Sequence, residues 1–291
     1  LSVEYRFQED ILLVQEITGQ SRRELASKIG VGAATLERWV QGDVQPSQQR
    51  LALFYDYAFS HGVPLNRIKA QLRTEELAKT ECRLLFHGSK SGIDGPLSLA
   101  PSRANNDFGR GFYCGENLEQ SAMFVNQYPT SSIYMVAFAP AGLQGAHFVV
   151  DQDWMLAVSA FRGRLKDYEG HPKMQELMRR VSEADYVVAP IADNRMFEIM
   201  DDFSQGFITD EQCQHALSAT GLGMQWVITS EQALKQTTLL EKCYLSAEER
   251  GYYERKRKEE LEVGLAKVKA AHRQYRGRGR YVDELLGEED R

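Results

Sequence analysis

Cysteine is scarce and never paired. Cys82, Cys114, Cys213 and Cys243 stand singly with no C-x-x-C spacing, which argues against a zinc knuckle or a disulfide framework and leaves reduced thiols and no metal as the expectation. Long hydrophobic runs are missing too. No apolar stretch approaches the ~20 residues that cross a bilayer, and Leu1 to Asp10 lacks the basic-then-apolar profile of a signal peptide. The chain therefore reads as soluble and cytoplasmic, with no membrane partner. Positive charge is not in excess: 35 Lys and Arg face 41 Asp and Glu over 291 residues, a net of −6. That argues against tracking nucleic acid along a whole surface and leaves such contact to a local basic face. Fixed-period repeats are absent. What remains, 43% hydrophobic and 10% aromatic residues, is ordinary globular composition sized for one or two domains.

The texture changes three times along the chain. Residues 1–63 are helical in pattern, and residues 64–82 carry a polar connector helix with Leu65, Ile68, Leu72 and Leu77 near helical spacing. Residues 83–245 alternate short β-rich runs (Arg83–Phe86, Ile133–Phe138, His147–Val150, Tyr186–Ile191, Trp226–Thr229, Lys242–Leu245) with helical segments near Asn117–Gln127, Trp154–Arg164, Pro172–Glu183 and Asp210–Ala219. This is the pattern of an α+β domain. Residues 246–291 begin with Ser246-Ala-Glu-Glu249, a capping-box pattern opening a long charged helix, and end in an acidic tail.

In the first segment Ser21-Arg-Arg-Glu24 is a capping box, and Gly30-Val31-Gly32 breaks the helix behind it. A second short helix carries Thr35, Leu36, Arg38 and Trp39 and ends at Gly42, with Pro46-Ser47 starting the next. Two short helices joined by a glycine-containing turn, with a Trp locking the second, form a helix-turn-helix pattern. These residues resemble the phage-repressor-like (XRE-like) helix-turn-helix family. The resemblance implies an all-α DNA-binding domain whose second helix brings Gly32, Ala33, Ala34, Thr35, Glu37 and Arg38 to or near DNA, with Arg22 and Arg23 beside it. Residues 1–63 hold six Lys/Arg against eight Asp/Glu, so packing on a partner protein competes with the DNA reading. Arg22, Arg23, Lys28, Arg38 and Arg50 supply a basic side if folding gathers them.

The densest chemistry lies in Phe86-His-Gly-Ser89, then Arg103, then Asp107-Phe-Gly-Arg-Gly-Phe-Tyr113, then Ser121 and Phe124. A hydrophobic strand ending in His-Gly places an imidazole beside a glycine whose backbone can approach a ligand. A glycine-flexed loop enters a short strand in which Phe112 and Tyr113 point to opposite faces. The same residues also read as an ordinary core histidine and core aromatics.

In order and spacing these motifs are similar to the diphtheria-toxin-like and poly(ADP-ribose)-polymerase-like ADP-ribosyltransferases. Phe86-His-Gly-Ser-Lys90, Asp107–Tyr113, Ala192-Asp193-Asn-Arg195 and Gln225-Trp-Val-Ile228 look like a bacterial domain of unknown function placed in that superfamily. The resemblance implies a split antiparallel β-sheet core and NAD as substrate. By it Gly88 backbone groups hold the nicotinamide carboxamide with Ser121 as side-chain partner, His87 followed by Ser89 lies at the adenosine ribose, and Tyr113 and Phe124 sandwich the ring. Arg103, Asp107 and Arg110 bind pyrophosphate or order their loop. The acceptor of ADP-ribose would be an unidentified protein or nucleic acid, and the chain a bacterial toxin or defence effector with an antitoxin-like partner protein.

One departure matters. The position of the polymerases' glutamate is Gln225, which can orient ribose hydroxyls but carries no charge. Asp193 or Glu198, read at a strand end, could supply the missing acid, and Asp193 could equally order its loop by pairing with Arg195. The alternative is a DNA-binding regulator whose transferase-like domain is inactive and senses NAD. An RNA 2′-phosphotransferase would need more basic groups than Arg103 and Arg110. In the last segment Leu261, Leu265, Val268, His272 and Tyr275 form a stripe expected to dock on a domain. His272, Arg273, Arg276, Arg278 and Arg280 form the strongest basic cluster, suited to nucleic acid, an acidic partner or plain solvation.

Overall fold

A computed structural model of the chain describes residues 4–192, 194–221 and 223–287. Asp193 lies outside the described residues. The N-terminal region is five helices, α1 (Phe7–Thr18), α2 (Arg22–Lys28), α3 (Ala33–Gln41), α4 (Gln48–Ser60) and α5 (Leu65–Leu77). There follow β1 (Arg83–Ser89), β2 (Phe112–Gly115), α6 (Leu118–Val125), β3 (Ser132–Phe138), β4 (Gly145–His147), α7 (Gln152–Phe161), α8 (Pro172–Ser182), β5 (Tyr186–Pro190), α9 (Asn194–Ser204) and α10 (Asp210–Ser218). The last elements are β6 (Met224–Ile228), α11 (Glu231–Lys235), β7 (Thr237–Cys243), α12 (Ala247–Gln274) and α13 (Val282–Leu286). This is an α+β fold with a helical N-terminal region. No helix among the described residues is long and apolar enough to cross a membrane. Contacts divide the chain into two compact units, one of Leu1–Pro96, Leu118–Ala139 and Thr238–Arg257, the other of Leu97–Asn117, Pro140–Thr237 and Lys258–Arg291.

In the first unit the capping box forms in full. Glu24 N–H donates to Ser21 Oγ while the Glu24 carboxylate accepts from the Ser21 hydroxyl at 2.7 Å and from Ser21 N at 2.8 Å, and those two donors, the hydroxyl foremost, hold the Glu24 carboxyl below its usual range. The turn after α2 closes with Gly30 at φ +68, a left-handed conformation that suits glycine. Arg50 caps it by donating to Gly30 O at 2.9 Å. Trp39 is buried edge-on to Phe7, amid Ile11, Val14, Leu25, Leu36 and Phe54.

Helix α5 does more than connect. Leu65, Asn66 and Lys69 are buried, and Lys69, 7% exposed, meets two carboxylates that are 1% exposed: Asp10 on α1 at 2.9 Å and Glu241 on β7 at 2.5 Å. Tyr55 of α4 donates to Asp10 at 2.6 Å, and Arg73 lies 3.5 Å from Glu241. Burial works against the Lys69 charge, but Asp10 foremost and then Glu241 carry its amine above the ordinary range. Burial outweighs Lys69 at Asp10, whose carboxyl is pushed up. The strands of this unit lie in the order β1-β3-β7, with β1 antiparallel to β3 and His87 opposite Tyr134.

The expected capping box at Ser246 forms by half. Glu249 N donates to Ser246 Oγ at 3.2 Å, but the Glu249 side chain turns into the core, accepting from Asn66 at 2.8 Å and Tyr253 at 3.2 Å. Burial pushes this carboxyl up to about 7 against those two donors. A carboxyl whose folded pKa exceeds its unfolded value contributes stability that is complete below the unfolded value and is lost as pH rises through the folded one. Urea unfolding at pH 5 to 8 should therefore show wild-type stability falling relative to Glu249→Gln by roughly 2–3 kcal/mol over that window. Parallel profiles for the two proteins would refute the shift.

In the second unit the strand order is β4-β5-β6-β2. β2 and β5 flank β6 antiparallel, whereas β4 and β5 run parallel. The sheet is thus mixed and not wholly antiparallel as expected, because the 148–185 connection passes through α7 and α8 and gives the crossover a parallel pair needs. Strand pairing at β4 ends at His147, short of the expected Val150, and β7 starts at Thr237, ahead of the expected Lys242. Residues 194–204, where the sequence pattern predicts no helix, are helix α9. Its Met196, Ile199, Met200 and Phe203 are buried at helical spacing. The C-terminal stripe docks only in its second half: Val268, Ala271 and Tyr275 join the core of this unit, while Leu261 and Leu265 are exposed.

Candidate functional site

Gln225 lies on β6 opposite Ala189 of β5 and Gly115 of β2. It is buried, and its amide nitrogen donates both hydrogens, to Asp107 Oδ2 at 2.8 Å and to Pro190 O at 3.0 Å. Asp107 lies in the loop that leads into β2, five residues before the strand begins, and is itself buried. Besides Gln225 it accepts Ala192 N at 3.2 Å, and its other oxygen takes Arg162 Nε at 2.8 Å together with Arg162 Nη2. Arg162 also donates to Ala192 O and lies 4.6 Å above the Phe197 ring. One carboxylate thus receives four donors and ties the loop to the ends of β5, β6 and α7. Its charge is offset by a guanidinium that grips one of its oxygens through two N–H groups.

Tyr113 follows from the same loop. Its hydroxyl donates to Gly109 O at 2.8 Å and accepts from Phe108 N at 3.1 Å, and burial raises the phenol above its ordinary range. Two glycines allow this closure. Gly109 has φ +72 with the Phe161 ring 3.2 Å from where a Cβ would lie, and a Cβ at Gly111 would meet Val227 Cγ1 at 2.5 Å. Of the two readings for the loop charges, ordering describes Asp107 and also Arg110, which donates to Ala100 O at 3.2 Å and Ser102 O at 2.9 Å. Arg103 is exposed. Glu198 is not at a strand end; it is on the exposed side of α9.

In the first unit the His87-Gly-Ser89 end of β1 packs under α6. Ser121 is buried and donates to Phe86 O at 3.0 Å, and Ser89 donates to Gly92 O at 2.8 Å. His87 is half-buried with its ring centroid 6.5 Å from that of Tyr134. A Cβ at Gly88 would lie 2.9 Å from Val125 Cγ1 and 3.0 Å from Ser121 O, so helix packing alone requires glycine there. Phe124 is 64% exposed on α6. Among the residues expected at DNA, Ala34, Thr35 and Arg38 lie on the exposed side of α3 and Arg23 is exposed, while Arg22 pairs with Glu37 at 2.9 Å.

Asp107, Tyr113 and Gln225 are thus brought together in the second unit, and His87, Gly88, Ser89 and Ser121 in the first. Sequence reasoning missed Arg162. The sequence offers only that Arg162 follows the apolar run at residues 154–161, which does not set it apart from other helix-terminal charges. A family model described as a protein of unknown function (DUF3990) matches residues 84–239. No curated protein and no solved structure matches the chain.

Proposed function

Because the chain belongs to the DUF3990 family, whose description names no reaction, we propose from its site residues that it is a mono-ADP-ribosyltransferase acting on NAD. In this reading the bond between ribose C1′ and the nicotinamide nitrogen breaks with its electron pair on nicotinamide, which leaves as a neutral base. A lone pair of a macromolecular acceptor then bonds to C1′, and the acceptor's proton passes to water. The helix-turn-helix-like region would direct the chain to DNA or to a partner protein, as befits a bacterial effector.

The observation that carries the reading is the anchored Tyr113. With its hydroxyl bonded on both sides, the ring is held in one orientation, which a stacking partner for a pyridinium must be. Asp107, Arg162 and Gln225 lock the loop that leads into β2, the strand that carries Tyr113. Gln225 would orient ribose hydroxyls through its carbonyl oxygen, its hydrogens being committed. His87 and Gly88 keep the ribose and carboxamide roles that the resemblance implies.

The test is release of nicotinamide from labelled NAD with a cell extract as acceptor source. Tyr113→Ala is expected to lose more than about tenfold in turnover, beyond ~1.4 kcal/mol of transition-state stabilisation, while Tyr113→Phe, which keeps the ring but loses both anchoring bonds, should weaken NAD binding less than Tyr113→Ala does. His87→Ala should also lose turnover while staying folded by circular dichroism. Absence of NAD binding in calorimetry would sink the reading. A specific feature favours a second one, an NAD sensor without activity: Gln225 is neutral and the neighbouring Asp107 charge is offset by Arg162. NAD bound and left intact with every acceptor fraction would establish that alternative instead.

A further inference from the structure

The chain carries a net charge of −6, yet residues 263–282 hold Lys267, Lys269, Arg273, Arg276, Arg278 and Arg280 and no Asp or Glu. The three arginines of Arg276-Gly-Arg-Gly-Arg280 are not on a loose tail. Asp210 N donates to Arg280 O at 2.9 Å, Arg280 N donates to Asp210 Oδ1 at 2.7 Å, and the Thr209 hydroxyl donates to Arg278 O. Arg278 N closes a turn on Tyr275 O at 3.1 Å. Gly277 and Gly279 adopt φ +69 and φ +84, and a Cβ at Gly279 would lie 2.3 Å from Asp210 Oδ1. The segment is a hook laid against the start of α10, with glycine required at its bend.

The hook binds by backbone and leaves its side chains exposed, with the Arg278 guanidinium 5.5 Å above the Tyr275 ring. Arg276, Arg278 and Arg280 are exposed, as are Lys269 and Arg273 on the last turns of α12. No ion pair among the described residues engages any of the five. Asp210, beside the hook, is taken up by the N–H groups of Arg280 and Glu211 and by Gln152, and Glu211 also lies alongside Gly279 without pairing with an arginine among the described residues. Holding several guanidinium groups together without counter-charges costs self-repulsion, which a polyanion relieves. Tyr281, exposed beside Arg280, adds an aromatic face. Guanidinium forks match phosphate, and an interleaved aromatic suits stacking on a base.

We propose that this hook is a nucleic-acid-binding surface that grips the phosphate backbone of a strand. It does not rest on the proposed NAD chemistry or on a DNA-binding role for residues 1–63. The test is binding of the full chain to a fluorescein-labelled 20-nucleotide single strand and to the matching duplex, titrated over salt, with poly-glutamate as the competing polyanion. The triple variant Arg276→Gln, Arg278→Gln, Arg280→Gln keeps every backbone bond of the hook. It should weaken nucleic-acid binding at least tenfold and flatten the slope of log K against log salt by about two, at ~0.7–0.9 for each phosphate no longer neutralised. The variant Arg22→Gln, Arg23→Gln, Arg38→Gln should leave that loss on removing the hook arginines undiminished. Gly279→Ala, which changes no charge, should weaken binding by displacing the hook. Wild-type affinity and salt slope in the triple variant would overturn the proposal, and so would binding to poly-glutamate as tight as to either oligonucleotide.

Discussion

Lys69→Met should be the most destabilising single change in the N-terminal half, costing about 3–5 kcal/mol in urea unfolding at neutral pH. The methionine fills the space of the aliphatic stem but leaves Asp10 and Glu241, both almost wholly buried, without the ammonium they share. The reason is asymmetric: a buried pair contributes little net stability against apolar replacements, but removing one partner strands the other charge. Asp10 is already pushed up by burial with Lys69 present, and without the amine its carboxyl should rise further. A raised carboxyl favours the folded state at low pH, so the variant should recover stability on acidification from pH 8 towards pH 5. Adding Asp10→Asn and Glu241→Gln to Lys69→Met should return part of the loss at pH 8. If Lys69→Met alone costs less than about 1 kcal/mol, the range of a surface ion pair, the triad is not the buried structural element described.

Gln225→Glu ranks second and has consequences for function. The new carboxylate would lie where an amide nitrogen now donates to Asp107 Oδ2 at 2.8 Å and to Pro190 O. Two buried carboxylates in contact cannot both ionise freely, and the single Arg162 guanidinium already serves Asp107. One of them should take up a proton with a pKa raised by about two units or more, a cost near 3 kcal/mol at pH 8 that declines as pH falls. Under the proposed transferase reading, NAD cleavage should fall along with stability. A rise in nicotinamide release from Gln225→Glu would mean that the natural site lacks the acid it needs, and would favour the NAD-sensing alternative.

The two variants also mark what can be read from sequence. Ser21 with Glu24, Trp39 in its helix, and strands β1, β3, β5 and β6 were legible, because capping and short apolar runs bounded by turn residues are local signals. Helix α9 was legible in principle through Met196, Ile199, Met200 and Phe203, but the polar Asp193-Asn-Arg195 before it read as a loop continuing from a strand. The Lys69 triad was illegible because its partners come from α1 and β7 and no local pattern links them. In the candidate site, the motif around Asp107 to Tyr113 stood out by its glycines and aromatics, whereas Arg162 looked like any helix-terminal charge. That Gln225 bonds to Asp107 is a consequence of strand register, which places β6 beside β2 and so beside the loop leading into it.

Gly88 and Phe124 should respond differently over descent to the loss of a ligand. Crowding by Val125 and the Ser121 carbonyl already forbids any side chain at Gly88, so lineages that had lost every ligand would still keep glycine there. Its persistence is silent about NAD. Phe124 is 64% exposed on α6, and burial gives drift no reason to spare it. In a lineage without a ligand this ring should be replaced by polar residues within few substitutions, and the persistence of an aromatic at 124 among diverging descendants is the historical trace that a bound molecule would leave.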